Sequence, residues 1–293
     1  MNPSQFKQLA RDFNRVPLVR EVFADLDTPL SAYLKLADEP YSYLFESVQG
    51  GEKWGRYSII GMASGTRIKV FGKRVRVETD GKPAAEREVE DPLEFIEDYL
   101  AEFRVAEASC LPKFHGGLVG YFGYDTIRYI EPRLAECPNP DKIDTPDILL
   151  MLSDRLVVFD NLSSRMFLIV HVEPAADEAW QRGQQQLDEL ESRLRSVSLE
   201  NRVRPSGEVV GEQDFTSGFT REGFEAAVDK ARRYIIDGDA MQIVLSQRLS
   251  IPFPSSPINL YRALRSLNPS PYLYFPPASS SAGPPRPPRG NMR

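Results

Sequence analysis

Cysteine and histidine are scarce in this sequence, with two of each among 293 residues. Cys110 and Cys137 match no zinc-ligand spacing and no CxxC pattern, so we predict two reduced thiols. His115 and His171 stand in unrelated segments without a carboxylate at catalytic spacing, so we predict structural roles for both. The sequence therefore predicts no metal site and no catalytic residue built from these side chains.

Long apolar runs and an excess of positive charge are also missing. No apolar stretch approaches the ~20 residues that cross a bilayer, and residues 1–5 do not resemble a signal peptide. Lysine and arginine number 36 against 42 acidic residues, a net charge of −6, whereas nucleic-acid surfaces concentrate positive charge. We expect a cytoplasmic protein that has neither a membrane nor a nucleic acid as its partner.

Helix and strand signals alternate through the first 200 residues. Asn2-Pro3, Thr28-Pro29 and Asp91-Pro92 are typical helix starts, because a capping side chain precedes a proline in the first turn. The first of these helices is predicted to end near Phe13. Alternating apolar residues on both sides of Gly72-Lys73 predict a hairpin with one solvent-facing side. We predict further strands at Val16–Phe23, Tyr41–Val48, Leu118–Tyr124, Ile148–Leu152, Leu156–Phe159 and Met166–Val172, and a helix at Trp180–Leu199.

These signals do not follow a strict βαβ rhythm, so the predicted fold class is α+β, with antiparallel sheets and flanking helices. Residues 1–200 are predicted to form one domain, and the polar, glycine-containing segment 201–218 a linker. In residues 219–275 we predict a helix from the Thr220 cap to a stop at Gly238, a strand over Met241–Ile251, a helix after Ser256-Pro257 and a strand from Tyr272. The second helix has Leu260, Leu264 and Leu267 on one face. Residues 276–293 are rich in proline and serine, and we predict a disordered tail.

Two smaller patterns have competing interpretations. Gly116, Gly117, Gly120 and Gly123 lack the strand–loop–helix context of a phosphate cradle, so we predict close backbone packing in a sheet. Arg56 is equally compatible with an anion-binding role and with a structural ion pair. We interpret the acidic segment 86–98 as a solvated helix face with favourable charge near its N-terminus.

Four segments together resemble component I of anthranilate synthase, a chorismate-utilising enzyme family, and they follow the family's order. They are Leu44-Phe45-Glu46-Ser47 with the later Gly55–Gly61, Gly116–Asp125, Tyr234–Arg248 and Asn268–Phe275. The resemblance implies an N-terminal regulatory domain followed by an incomplete start of the chorismate-binding domain. It also implies an enzyme that converts chorismate and ammonia to anthranilate and pyruvate with Mg²⁺. A glutaminase partner subunit supplies the ammonia, and tryptophan is the feedback inhibitor.

The resemblance also implies a tryptophan-binding site, carried over to Ser47, Pro271, Tyr272 and Leu273, with Glu46 beside them. The residue types suit such a ligand. A serine hydroxyl donates to a carboxylate or accepts from an ammonium, Glu46 is expected to balance the ammonium, and the prolines stiffen a loop of carbonyl acceptors. Two segments far apart in sequence are thus expected to converge on one amino acid.

The family's magnesium-binding glutamates and glycine-rich chorismate loops have no counterpart before the tail. We therefore predict that this chain is inactive alone, and that residues 276–293 result from a frameshift after Phe275. Two alternatives remain open, namely a fragment of the related aminodeoxychorismate synthase large subunit and a residual tryptophan-binding module without enzymatic activity. Tyr272–Phe275 favours the anthranilate enzyme over the first alternative.

Overall fold

The computed structural model describes residues 1–47, 55–80, 82–107, 111–136, 145–197, 199, 210–253 and 255–275. Cys110, Cys137, the first half of the predicted linker and the whole predicted tail lie outside these residues. The helices are α1 (Pro3–Leu9), α2 (Pro29–Leu36), α3 (Pro92–Ala101), α4 (Ile127–Ile130), α5 (Ala179–Ser196), α6 (Arg221–Ile236) and α7 (Pro257–Leu267). The strands are β1 (Val16–Phe23), β2 (Tyr43–Glu46), β3 (Tyr57–Gly61), β4 (Thr66–Phe71), β5 (Arg74–Thr79), β6 (Lys82–Glu88), β7 (Gly117–Phe122), β8 (Ile148–Ser153), β9 (Arg155–Asp160), β10 (Arg165–Val172), β11 (Thr216–Ser217), β12 (Leu249–Ser250) and β13 (Leu273–Phe275).

The chain divides into two units, which are described separately. The first comprises Met1–Glu200 with Leu260–Ala282, and the second comprises Asn201–Asn259 with Gly283–Arg293, as far as these ranges are described. The predicted segment 219–275 is therefore shared between the units, because its last part belongs to the first unit. The predicted boundaries at 200 and 218 stay predictions.

A six-stranded antiparallel sheet forms the larger part of the first unit, in the order β1-β10-β9-β3-β2-β13. Its strands β9 and β10 are apolar almost throughout, so they are buried on both faces. Helix α5 packs on β1 and β10 through Leu187, Leu190 and Leu194. The approach is close at Gly183, where an added Cβ would lie 2.5 Å from Leu18 Cδ1.

A five-stranded antiparallel sheet, ordered β6-β5-β4-β8-β7, completes the first unit. One face packs against α3 around a core of Ile68, Val70, Val75, Ile96, Ile148 and Leu150. The predicted hairpin is confirmed as β4 and β5, and Gly72 takes the left-handed turn conformation with φ 59°. Gly120 is also confirmed as a packing glycine, because an added Cβ would collide with the carbonyl oxygen of Leu149.

The second unit contains α6 and the β11–β12 pair. Thr220 caps α6 by accepting from the Gly223 backbone N–H at 3.1 Å, which confirms the predicted start. The rings of Phe219 and Phe224 lie 5.8 Å apart across that cap, as in a hydrophobic staple. The helix ends at Ile236, close to the predicted stop at Gly238.

The class α+β and its antiparallel sheets are confirmed, while three local predictions are wrong. The strand over Met241–Ile251 is reduced to Leu249–Ser250, because in the described part of the chain only these two residues of the segment pair with another strand. The acidic residues 86–88 end strand β6 rather than begin a helix, since β5 offers its free edge to them. The first helix stops at Leu9, short of the expected end near Phe13.

Candidate amino-acid-binding site

The two segments that carry the predicted site are neighbours in the six-stranded sheet. Strand β13 pairs antiparallel with β2, so that Leu273 lies opposite Glu46 and Phe275 opposite Leu44. Continued by one residue, this register brings Tyr272 to Ser47. The expected convergence of two distant segments is therefore present in the fold, whereas binding of a ligand by these residues stays a prediction.

The carboxylate of Glu46 is the most tightly bound polar group at this junction. Arg265 donates through Nε to Glu46 Oε2 and through Nη2 to Oε1, each at 2.7 Å. The Tyr261 hydroxyl donates to Oε2 at 2.9 Å. The Glu46 side chain is only 2% exposed and that of Arg265 is 34% exposed, so the pair is largely withdrawn from water. We call these three side chains the Glu46 clamp.

The pKa values of Arg265 and Tyr261 are shifted within the clamp. The hydrogen bond to Glu46 raises the pKa of the Arg265 guanidinium, so the arginine stays charged. Burial, followed by the negative charge of Glu46, raises the pKa of the Tyr261 hydroxyl well above its usual range. Tyr261 therefore acts as a donor at neutral pH, and Glu46 accepts bonds from both partners.

Alternation along the strands separates the junction into two faces. Directly opposed residues share a face, so Glu46 and Leu273 lie on the side where α7 supplies Tyr261 and Arg265. On that side the ring of Phe275 lies 5.4 Å from Tyr261 and 5.8 Å from the buried Tyr33. The other face carries Tyr274, which is 72% exposed.

The predicted site residues therefore differ in their surroundings. Ser47 and Pro271 are half-buried, and Tyr272 is 68% exposed and lies one step beyond β13. The Tyr272 backbone N–H donates to Ser270 Oγ at 3.2 Å, which shapes the turn after the two prolines. Glu46 is not the free carboxylate that was expected, because Arg265 already balances its charge.

Sequence reasoning missed Tyr261 and Arg265. They stand four residues apart on α7 and so share one face of that helix. The expected apolar stripe of Leu260, Leu264 and Leu267 is exposed in the described chain, whereas Tyr261 is buried. The spacing alone gave no signal of a buried carboxylate partner, because residues four apart share a helix face whether that face is buried or exposed.

The alternatives for Arg56 are resolved in favour of a structural ion pair. Its Nε donates to Asp160 Oδ1 at 3.1 Å and its Nη2 to Oδ2 at 2.8 Å. These bonds lower the pKa of the Asp160 carboxyl. Asp160 also accepts from the Leu162 backbone N–H at 3.1 Å, so the pair fastens the β9–β10 turn to the start of β3.

The two histidines meet although they are far apart in sequence. Their rings stack with centroids 5.5 Å apart, and His171 Nε2 lies 2.5 Å from the carbonyl oxygen of His115. Burial lowers the pKa of His171, so the ring is neutral and donates to that carbonyl. The arrangement fits the predicted structural role and was not visible in the sequence spacing.

The described residues contain neither a cluster of metal ligands nor a membrane-spanning helix. No group of three or more His, Cys, Asp or Glu side chains in the described ranges is placed to hold a metal ion. The described residues thus offer no ligand set for the magnesium that the resemblance implies. Across the same ranges, no helix combines the length and apolar character needed to span a bilayer.

Comparison with known proteins identifies a similar fold and a family. The fold is similar to the crystal structure of anthranilate synthase component I from Streptococcus pneumoniae TIGR4, with a TM-score of 0.57 and 28% identity over 87% of this chain and 54% of that one. Residues 44–280 match the family described as chorismate binding enzyme. The mixed helices and antiparallel sheets of this chain match the fold of chorismate-binding enzymes. The chain belongs to the chorismate binding enzyme family.

Curated relatives narrow the resemblance. The chain is 53% identical over 277 residues to anthranilate synthase component 1 of Pseudomonas aeruginosa, covering 94% of this chain and 56% of the relative. It is 46% identical over 271 residues to the protein of the same name from Neisseria meningitidis serogroup B, covering 92% and 54%. The chain thus spans little more than half the length of these relatives.

Proposed function

We propose that this chain carries the tryptophan-sensing part of an anthranilate synthase component I. The observation that supports it best is the pairing of β13 with β2, which places Leu273, the residue after Tyr272, opposite Glu46, the residue before Ser47. One amino acid at this junction contacts two segments from different parts of the chain. Its binding therefore favours one placement of β13 and α7, which is what feedback inhibition requires.

The chemistry of the junction suits an amino acid with an aromatic side chain. Ser47 supplies a hydroxyl for the carboxylate or ammonium, and Tyr272 supplies an exposed ring for the indole. Glu46 Oε2 accepts two bonds of the clamp and Oε1 accepts one. Because Glu46 is bonded to α7 and only 2% exposed, in this proposal it stands beside the ligand and holds the end of β2.

The whole enzyme's activity is part of the proposal. In the complete reaction, chorismate and ammonia from a glutaminase partner subunit give anthranilate and pyruvate, with Mg²⁺ as cofactor. The described residues show no ligand set for that metal, so no step of the reaction is assigned to them. We propose that the 293-residue chain, assayed alone, binds tryptophan and does not form anthranilate.

Calorimetry tests the binding site. L-Tryptophan titrated into the 293-residue chain is expected to give saturable heat, and Ser47→Ala is expected to weaken binding by about tenfold, as for loss of one hydrogen bond to a charged group. Ser192→Ala, at an exposed serine on α5, is the matched control and should bind as the wild type does. Equal affinity of the Ser47 and Ser192 variants for tryptophan would show that the binding site does not lie at this junction.

An activity assay tests the second half of the proposal. The chain is mixed with chorismate, Mg²⁺ and a high concentration of ammonium, and anthranilate fluorescence is followed. We expect no signal above the reaction without protein. Anthranilate formed in proportion to the chain concentration would show that the chain performs the reaction by itself.

A further inference from the structure

Strand β13 is the least supported element of the candidate site. In the described chain three of its residues pair with β2, and it lies at the edge of the six-stranded sheet. A three-residue pairing supplies few ladder hydrogen bonds. Contacts other than the ladder therefore contribute to the placement of β13 beside β2.

The Glu46 clamp supplies such contacts from α7. Its hydrogen bonds act on Glu46, which is the last paired residue of β2 before Ser47 and lies opposite Leu273. The ring of Tyr261 also packs at 5.4 Å against Phe275, at the far end of β13. One helix face thus contacts both strands of the junction.

The bidentate geometry makes the clamp directional. Two parallel bonds of 2.7 Å fix the plane of the Glu46 carboxylate as well as its charge. A lysine in place of Arg265 would keep the charge but lose the planar fork. The orientation of Glu46, and with it the end of β2, therefore depends on the guanidinium itself.

We propose that Tyr261 and Arg265 are positioning residues of the tryptophan site. Through Glu46 they hold the end of β2 and the register of β13, and so they set the spacing between Ser47 and Tyr272. The inference rests on the proposed function for its ligand, while the hold on β13 is a property of the unliganded chain. Neither residue has to touch the ligand.

Tyr261→Phe tests the role with little disturbance, because it removes one hydroxyl and keeps the ring against Phe275. The matched control is Tyr129→Phe, since the Tyr129 hydroxyl donates to Asp147 Oδ2 at 2.6 Å in the other sheet. Two quantities are measured in the 293-residue protein, namely the Kd for L-tryptophan and the hydrogen-exchange rates of the amides of Leu273–Phe275. Circular dichroism confirms that each variant is folded.

We expect Tyr261→Phe to raise the Kd by about tenfold, the loss of a hydrogen bond to a charged group, and to speed exchange in β13. Tyr129→Phe should lower the Tm by a similar amount and leave the Kd and the exchange rates of β13 unchanged. A purely structural role for Tyr261 would not explain that difference. Arg265→Lys, which retains the charge, should fall between the wild type and Arg265→Gln in both measurements.

The outcomes separate the two proposals. If the wild type binds tryptophan and both Tyr261→Phe and Arg265→Lys keep its Kd, the positioning role is wrong and the proposed function stands. If the wild type binds no tryptophan, the proposed function fails together with the ligand part of this inference. If the amide exchange rates of β13 are also unchanged in Tyr261→Phe and Arg265→Lys, these residues do not stabilise that strand.

Discussion

The two edges of the six-stranded sheet are held in different ways. At one edge, β1 pairs with β10 over eight residues, from Val16 opposite Val172 to Phe23 opposite Arg165, and α5 covers both strands. At the other edge, β13 has three paired residues and depends on a buried carboxylate with two donors. The first edge has a long ladder under a helix, whereas the second has a short ladder beside a buried ion pair. We propose that the second edge is the one that responds to an amino acid.

The largest effect is expected from an apolar truncation beside the β1 edge. Leu168 in β10 is fully buried opposite Arg20 of β1. Leu168→Ala should lower the free energy of unfolding by about 4 kcal/mol, because it removes buried methyl groups and leaves a cavity. Urea unfolding measures this change, and a loss below about 1 kcal/mol would show that apolar burial does not dominate there.

A change in the clamp should come next. Arg265→Gln leaves the buried Glu46 carboxylate without its counter-charge, so we expect a loss of about 3 kcal/mol. Adding Glu46→Gln removes the unpaired charge and should restore part of that loss, which a double-mutant cycle detects. A double variant that is less stable than Arg265→Gln would contradict the account of the β13 edge.

At the β1 edge, His171 lies opposite Pro17 and has a pKa shifted by burial. Burial lowers its pKa in the folded chain, so its contribution to stability is present above the unfolded value of about 6.5 and is lost as the pH falls below it. The loss is at most about 1.4 kcal/mol per pH unit for one proton. His171→Gln should flatten the decline between pH 7 and pH 5.

Wild type and His171→Gln are compared at each pH, so that other titratable groups contribute equally to the free energy of unfolding of both. Asp154, whose pKa burial raises, and the stacked His115 are present in both. Unfolding by urea is measured for wild type and variant at each pH. Parallel declines in the two proteins would show that His171 is not the group that titrates.

The smallest effect is expected on the exposed face of β13. Tyr274 is 72% exposed and faces away from the clamp. Tyr274→Thr keeps a strand-forming residue, so the free energy of unfolding should change by less than about 0.5 kcal/mol. A loss as large as that of Arg265→Gln would show that the β13 edge depends on this face instead of on the clamp.

Local signals in the sequence predicted much of the fold. Thr28 and Asn2 each accept the expected backbone hydrogen bond at a helix start, and Val16–Phe23 is a strand with the predicted bounds. Such features were predictable because a few adjacent residues determine them. The strand expected over Met241–Ile251 failed because a strand also needs a partner, which no local pattern specifies.

The candidate site was predictable only in part, for the same reason. The resemblance assigned Ser47 and Tyr272 to one site, and the structure pairs the strands that end next to them, with Glu46 opposite Leu273. Arg265 and Tyr261 were missed because the partner of a buried charge is chosen by tertiary packing. Glu46 was therefore expected to meet only the ligand, whereas α7 already occupies most of its acceptor positions.

Amide chemical shifts test the central claim most directly. The ¹⁵N-labelled 293-residue chain is titrated with L-tryptophan, and the shift of each assigned amide is followed to saturation. The account predicts the largest changes at Ser47 and at Tyr272–Phe275, with little change at Lys69 in the other sheet. Largest changes away from the β2–β13 junction, or no changes at all, would contradict it.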